Sequence, residues 1–155
     1  LKGIDLMRTL LFVCTGNTCR SPMAEAIARR AIESGLLGDD DVFVASAGVT
    51  APDGLPVNAE ALDALARVGI EHRGTSKRLT ADMIRNADVV FAMTASHVEA
   101  ARDLVRGEPA ELRVVALDPD LDIEDPIGLG PAVYDVVAAR LEQLVPRRLA
   151  EVLST

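Results

Sequence analysis

A segment near the start of the chain combines two cysteines with an arginine and several small polar residues. It reads Cys14-Thr15-Gly16-Asn17-Thr18-Cys19-Arg20-Ser21-Pro22, after an apolar run and before a helical pattern. Consecutive backbone N–H groups in such a loop can curl around an anion, and the start of a helix adds partial positive charge. Gly16 and Asn17 tolerate the positive φ angles that the curl needs. The sequence therefore predicts an anion-binding loop.

Three side chains of this loop are suited to chemistry on phosphorus. Arg20 offers a planar fork of donors that matches phosphate oxygens. The Cys14 thiolate is favoured by the same N–H groups and by Arg20, and Ser21 can donate a hydrogen bond to it. We expect in-line attack by Cys14, a phospho-cysteine and its hydrolysis by water. A bare Cys-x5-Arg pair would indicate only a buried cysteine and a surface arginine, but the full string favours chemistry.

This chemistry needs a general acid for the leaving group. Asp125, followed by Pro126, lies in a loop after the last apolar strand pattern. Asp118, Asp120 and Asp122 stand in the same loop, and the residues alone do not choose among the four.

Strand and helix patterns alternate along the chain. Strands are predicted at residues 8–14, 42–47, 88–93 and 112–117, and helices at 22–34, 58–68, from 80, 96–105 and 132–153, with Pro146 bending or interrupting the last. This order predicts an α/β domain with a parallel sheet and helices on both faces. Ligands bind beyond the carboxyl ends of such strands, which is where residue 14 would place the loop.

Composition narrows the classes of function. The chain has 155 residues, a net charge of −8 and two cysteines. We expect no nucleic-acid or membrane partner, since there is no basic run and no apolar run of about 20 residues. Two cysteines indicate a reducing, cytoplasmic compartment. We expect one domain over residues 7–155, with residues 1–6 as a leader or remnant.

The motifs together resemble the low-molecular-weight protein phosphatases. The resemblance rests on CTGNTCRSP after a strand, SAG at residues 46–48 and the late Asp125-Pro126, and it spans nearly the whole chain. It implies a four-stranded parallel sheet of order 2-1-3-4, and it assigns Cys14 as nucleophile, Arg20 as phosphate binder and Asp125 as general acid. It further implies that Asn17 and Ser46 hold the loop's shape. Phosphorylated proteins would be substrates and inorganic phosphate a competitor, with no metal or cofactor.

Two departures from the tyrosine-specific members bear on the substrate. Those members place aromatic residues around the cleft, whereas Ile127 follows the Asp-Pro here. Tyr134 could still reach the cleft from the last helix. Thr18, in place of a bulkier apolar residue, resembles the protein-arginine phosphatase branch, because a hydroxyl can contact a guanidinium. We therefore expect phosphoarginine as substrate, with phosphotyrosine as the alternative.

The second cysteine suggests redox control. Cys19 lies close enough to Cys14 in the loop to form a disulfide on oxidation, which would protect the nucleophile. The alternative is that Cys19 packs inward as a small apolar residue.

Other classes of function fit less well. An arsenate reductase would need further cysteines after Cys19, and the sequence has none. A metal site built from the two cysteines, His72 and His97 has poor spacing and faces a cationic Arg20. A phosphate-binding module without activity would not need Asp125. We expect both histidines to be structural or surface residues.

Overall fold

The computed structural model describes residues 7–35, 37–38 and 41–153, and residues 1–6, predicted as a leader, lie outside the described residues. The strands are β1 (Arg8–Cys14), β2 (Val42–Gly48), β3 (Val89–Ala92) and β4 (Val114–Ala116). The helices are α1 (Arg20–Glu33), α2 (Ala59–Arg67), α3 (Ala81–Asn86), α4 (Ala95–Leu104) and α5 (Pro131–Leu153). No helix within the described residues is long and apolar enough to cross a membrane.

The four strands form one parallel sheet in the order β2-β1-β3-β4. This confirms the predicted α/β fold and strand order. Because every strand runs the same way, the carboxyl ends of β1 and β3 meet the loops that follow them at one edge. The loop after Cys14 lies at this edge, beside the end of β2.

Side chains of β1 alternate between two cores. Leu10 and Phe12 pack with α1, α2 and α5 on one face, whereas Leu11 and Val13 pack with α3 and α4 on the other. A strand that is buried on both faces reads as a continuous apolar run, which is why β1 was recognisable. The anion loop therefore begins from the buried end of β1, residues 10–14.

One local expectation is wrong in part and another is wrong. Pro146 does not interrupt α5, because buried residues on both sides of it, Leu144 and Leu149, hold the helix against the core. The predicted fourth strand is shorter, since a 3₁₀ turn occupies Pro109–Arg113 and the strand is Val114–Ala116.

Gly48, the last residue of β2, lies directly against the anion loop. A Cβ at this position would lie 2.4 Å from the Thr15 carbonyl oxygen and 2.9 Å from the Asn17 nitrogen. The backbone of β2 can approach the loop only because Gly48 has no side chain.

We predict that Gly48→Ala lowers the free energy of unfolding by about 1–3 kcal/mol, the usual cost of overpacking, and displaces the loop. Urea denaturation measures the change. Gly74→Ala is the matched control, because its Cβ would meet only His72 Nε2 at 3.4 Å. Equal stability of the two variants would contradict the prediction.

Candidate active site

The anion loop runs from Cys14, at the end of β1, to Arg20, the first residue of α1. Asn17 has a φ of 55°, as the curl requires, but Gly16 does not have a positive φ. The expectation for Gly16 is therefore wrong. The curl is made by a single left-handed residue, and asparagine is one of the few residues other than glycine that adopt this conformation readily.

The buried Asn17 side chain joins the loop to three other segments. Its Nδ2 donates to Ser21 Oγ at 2.8 Å and to Ser46 Oγ at 2.9 Å, while its Oδ1 accepts from the Lys77 backbone N–H at 2.9 Å. All hydrogen-bonding capacity of this buried amide apart from one lone pair is used. The left-handed backbone of Asn17 is thus held in place by its own side chain.

The network continues to a carboxylate that the sequence did not single out. Ser46 Oγ donates to Glu25 Oε1 at 2.6 Å, and the other oxygen of this buried carboxylate accepts from Arg29 at 2.6 Å. Glu25 and Arg29 are four residues apart, the spacing of a helical ion pair. Nothing in the sequence, however, indicates that β2 brings Ser46 to this pair.

Cys14 Sγ lies 2.9 Å from Ser21 Oγ, and both residues are buried. When Cys14 is a thiolate, only the Ser21 hydroxyl can be the donor. Since Ser21 Oγ also accepts from Asn17, its proton is directed to the sulfur.

The Arg20 guanidinium is buried and anchored from two sides. Nη1 donates to the Ile123 carbonyl at 2.9 Å, and Nη2 lies 3.5 Å from Thr15 Oγ1 and 3.7 Å from Asp125 Oδ2. Ile123 is itself held on the sheet by a backbone hydrogen bond to Met93. The loop that carries Asp125 is therefore positioned by contacts with both the sheet and the guanidinium.

Of the four acids of this loop, Asp125 lines the pocket with Cys14, whereas Asp118, Asp120 and Asp122 do not. Asp118 pairs with Arg140, whose hydrogen bond lowers the pKa of Asp118. Asp122 Oδ1 accepts from the backbone N–H of Ala95, the first residue of α4. Asp125 is half exposed and lines one pocket with Cys14 and Arg20.

The pocket around Cys14 is small and has no aromatic wall within the described part of the chain. It is lined by Cys14, Thr15, Gly16, Thr18, Cys19, Arg20, Asp125 and Ile127. Ile127 is its one large apolar side chain. Thr18 is half-buried at the rim, which is compatible with contact to a substrate.

Tyr134 does not line this pocket. It is fully buried in the core, with its hydroxyl 3.4 Å from Cys19 Sγ. Burial raises the pKa of both groups, so Cys19 is held as a thiol. The pattern at the start of the last helix could not show this, because a helix face reveals burial but not the partner.

His97 contacts the loop from α4, although the sequence suggested only a structural or surface role for it. Its side chain is buried, and Nε2 lies 2.7 Å from Thr15 Oγ1. Burial and, to a lesser degree, the nearby Arg20 lower the pKa of His97 to about 4, while Asp122 and Asp125 act in the opposite direction. His72 is only half-buried and burial lowers its pKa as well.

Comparison with known proteins identifies the family. The profile described as "Low molecular weight phosphotyrosine protein phosphatase" matches residues 9–155. The chain belongs to this family. It is therefore a low-molecular-weight phosphatase, and the family implies cysteine-based chemistry.

Some relatives of the phosphatase are named arginine phosphatases and others phosphotyrosine phosphatases. A protein-arginine-phosphatase of Geobacillus stearothermophilus is 38% identical over 149 residues, which cover 94% of this chain and 96% of the relative. Low molecular weight phosphotyrosine protein phosphatase 2 of Drosophila melanogaster is 36% identical, over 88% of this chain and 82% of the relative. Among solved structures, a Cys-to-Ser mutant of the YwlE arginine phosphatase with a phosphorylated active-site serine has a TM-score of 0.84 and 35% identity, covering 95% of this chain and 96% of that chain.

We predict a pH-dependent contribution of His97 to the stability of the phosphatase. The folded pKa of about 4 lies below the ordinary 6.5, so the unfolded chain takes up the proton first. The stabilisation is complete above pH 6.5 and is lost as the pH falls through 4. It amounts to about 3 kcal/mol between pH 7 and 4.

The measurement is the free energy of unfolding of the parent and of His97→Gln across this range. The stability of the parent should fall more steeply on acidification, because the variant lacks this proton uptake. Parallel pH profiles would show that His97 titrates normally in the folded protein.

Proposed function

We propose that this phosphatase hydrolyses phosphorylated protein side chains, with phosphoarginine preferred, using Cys14 as nucleophile, Arg20 as phosphate binder and Asp125 as general acid. The observation that carries the proposal is that one pocket is lined by these three side chains together. They come from the end of β1, the start of α1 and the loop before α5. A thiolate, a cation and a carboxyl group at one small pocket match the needs of phosphoryl transfer.

The reaction has two steps. The Cys14 thiolate attacks phosphorus, the bond from phosphorus to the leaving nitrogen or oxygen breaks, and Asp125 gives that atom a proton. A water molecule then loses a proton to Asp125 and attacks phosphorus, which releases phosphate and the thiolate. In the YwlE mutant the serine of the active site is phosphorylated, which supports a phospho-enzyme intermediate.

The loop supplies the charge stabilisation. We propose that backbone N–H groups from Thr15 to Cys19, together with Arg20, bind the equatorial phosphoryl oxygens. Asn17 and Ser46 hold the loop's shape through the hydrogen bond that joins them. Ser21 stabilises the thiolate as nucleophile and again as leaving group.

Phosphoarginine is favoured by the pocket walls and by the relatives' names. Thr18 presents a hydroxyl at the rim, and no aromatic side chain lines the pocket within the described residues. The arginine phosphatase of G. stearothermophilus is 38% identical to this chain. Phosphotyrosine remains the second candidate, because the Drosophila relative is nearly as similar and Ile127 could pack on a phenyl ring.

The proposal includes a cytoplasmic location, consistent with two cysteines that are both free thiols. Inorganic phosphate, the product, should compete with the substrate for the loop.

The two cysteines of the loop suggest a response to oxidation. In the presence of a peroxide, the Cys14 thiolate would take one peroxide oxygen as the O–O bond of the peroxide breaks, which yields a sulfenic acid. The Cys19 thiol would then form a disulfide with Cys14 and release water.

We predict a higher kcat/KM on a phosphoarginine peptide than on the matched phosphotyrosine peptide. Thr18→Ile should lower the arginine activity about tenfold, because it removes the hydroxyl and narrows the rim. Cys14→Ser should abolish turnover of both peptides, and Asp125→Asn should lower it about a hundredfold. A tyrosine preference would overturn the substrate assignment alone, and activity in Cys14→Ser would overturn the mechanism.

We predict that Cys19 protects the enzyme from peroxide. After brief peroxide treatment, a dithiol reductant should restore the parent, but it should restore Cys19→Ser poorly, because the sulfenic acid of Cys14 is oxidised further. Residual kcat/KM and the mass of the Cys14 peptide are the measurements. Equal recovery of both proteins would argue against a protective disulfide.

A further inference from the structure

His97 makes one side-chain hydrogen bond within the described part of the chain, and that bond reaches the anion loop. Nε2 lies 2.7 Å from Thr15 Oγ1, whereas the buried Nδ1 has no partner among the described residues. The imidazole is held rigidly, since only 4% of His97 is exposed and its backbone N–H is bonded to the Thr94 side chain at the start of α4. A buried polar group aimed at a catalytic loop from another element points to a role in that loop.

The hydrogen bonds available to the imidazole indicate which nitrogen carries the proton. A proton on Nδ1 would leave a buried N–H without an acceptor, which costs more than an unused lone pair. A proton on Nε2 is instead donated to Thr15 Oγ1. Because burial and the adjacent Arg20 lower the pKa of His97 to about 4, the imidazole is neutral at pH 7 and carries a single proton. Asp122 and Asp125, which face it from the neighbouring loop, act in the opposite direction.

Thr15 Oγ1 then accepts from two sides. Arg20 Nη2, which can only donate, lies 3.5 Å from the same oxygen. With both lone pairs occupied, the Thr15 hydroxyl proton must find an acceptor elsewhere. Thr15 is exposed and lines the pocket beside Cys14, so the proton is available to whatever the pocket binds.

We propose that the Thr15 hydroxyl donates a hydrogen bond to a phosphoryl oxygen of the substrate, and that His97 is the positioning residue that keeps its proton turned to the pocket. This inference rests on the proposed function, because it requires a phosphoryl group at Cys14. The hydrogen bond from Thr15 strengthens as negative charge develops on the equatorial oxygens. It therefore stabilises the transition state as well as bound phosphate.

The first test uses the unmodified protein. Nitrogen NMR of the imidazoles at pH 7 assigns the tautomer of His97. We expect the proton on Nε2, and we expect the His97 signals to shift when inorganic phosphate binds. A proton on Nδ1 would overturn the proposal, because Thr15 would then have to donate to His97 instead of to the substrate.

The second test is a double-mutant cycle with p-nitrophenyl phosphate, which does not depend on the choice between arginine and tyrosine. Thr15→Val should lower kcat/KM about tenfold and raise the inhibition constant of phosphate, as expected for one lost hydrogen bond to a charged group. Thr15→Ser keeps the hydroxyl and should resemble the parent. His97→Leu should lower kcat/KM severalfold in the parent and leave it unchanged in Thr15→Val, because the hydroxyl it orients is already gone.

Controls separate positioning from structure. His97→Gln retains an N–H donor and should recover most of the activity lost in His97→Leu, while His72→Leu, the same change at the other histidine, should leave kcat/KM and phosphate inhibition unaltered. Effects of Thr15→Val and His97→Leu that multiply would make His97 a packing residue and overturn the proposal. Thermal unfolding shows which variants fold. If His97→Leu does not fold, the tautomer of His97 and the activities of Thr15→Val and Thr15→Ser test the proposal without it.

The activity of Cys14→Ser distinguishes a failure of the proposed function from a failure of the roles assigned to Thr15 and His97. If Cys14→Ser still hydrolyses p-nitrophenyl phosphate, the proposed function fails. If that variant is inactive and Thr15→Val retains parent activity, only the assignment of Thr15 and His97 fails.

Discussion

The hydrogen bonds of the Asn17 side chain are the contacts on which the active site depends. They tie a left-handed residue in the loop to Ser21 beside Cys14, to Ser46 in β2 and to the backbone of Lys77. A buried amide with almost every hydrogen bond made is costly to disturb, because each broken bond leaves a desolvated polar group. The loop is therefore preorganised, so its N–H groups need not reorient to bind a phosphoryl group in the proposed reaction.

The charged groups around the loop compensate one another. The protein has a net charge of −8, yet the pocket places the buried Arg20 beside the thiol of Cys14. A buried cation is tolerated because the Ile123 carbonyl and the carboxylate of Asp125 partly compensate it. The neutral imidazole of His97 adds a hydrogen bond near this cation without adding a second positive charge.

Much of the fold was predictable, because its signals are local. The continuous apolar run at β1 indicates a strand buried on both faces, and the alternation of strands and helices leads to a parallel sheet through the handedness of its crossovers. The ends of helices and strands were less predictable where packing against the core overrides the local helix or strand propensity. Pro146 stays inside α5 because the core holds that helix on both sides, and the 3₁₀ turn before β4 has no strong pattern of its own.

The sequence by itself determined the loop and its chemistry. Cys14, Arg20 and Ser21 are neighbours along the chain, so their spacing alone predicts that they surround one anion. Only the tertiary structure put Asp125, of the four acids of its loop, at the pocket with Cys14, kept Tyr134 out of the cleft and brought Glu25 and His97 to the loop. These relations join residues that are remote in sequence, and they depend on which side chains the packed sheet brings within hydrogen-bond distance, which no local pattern encodes.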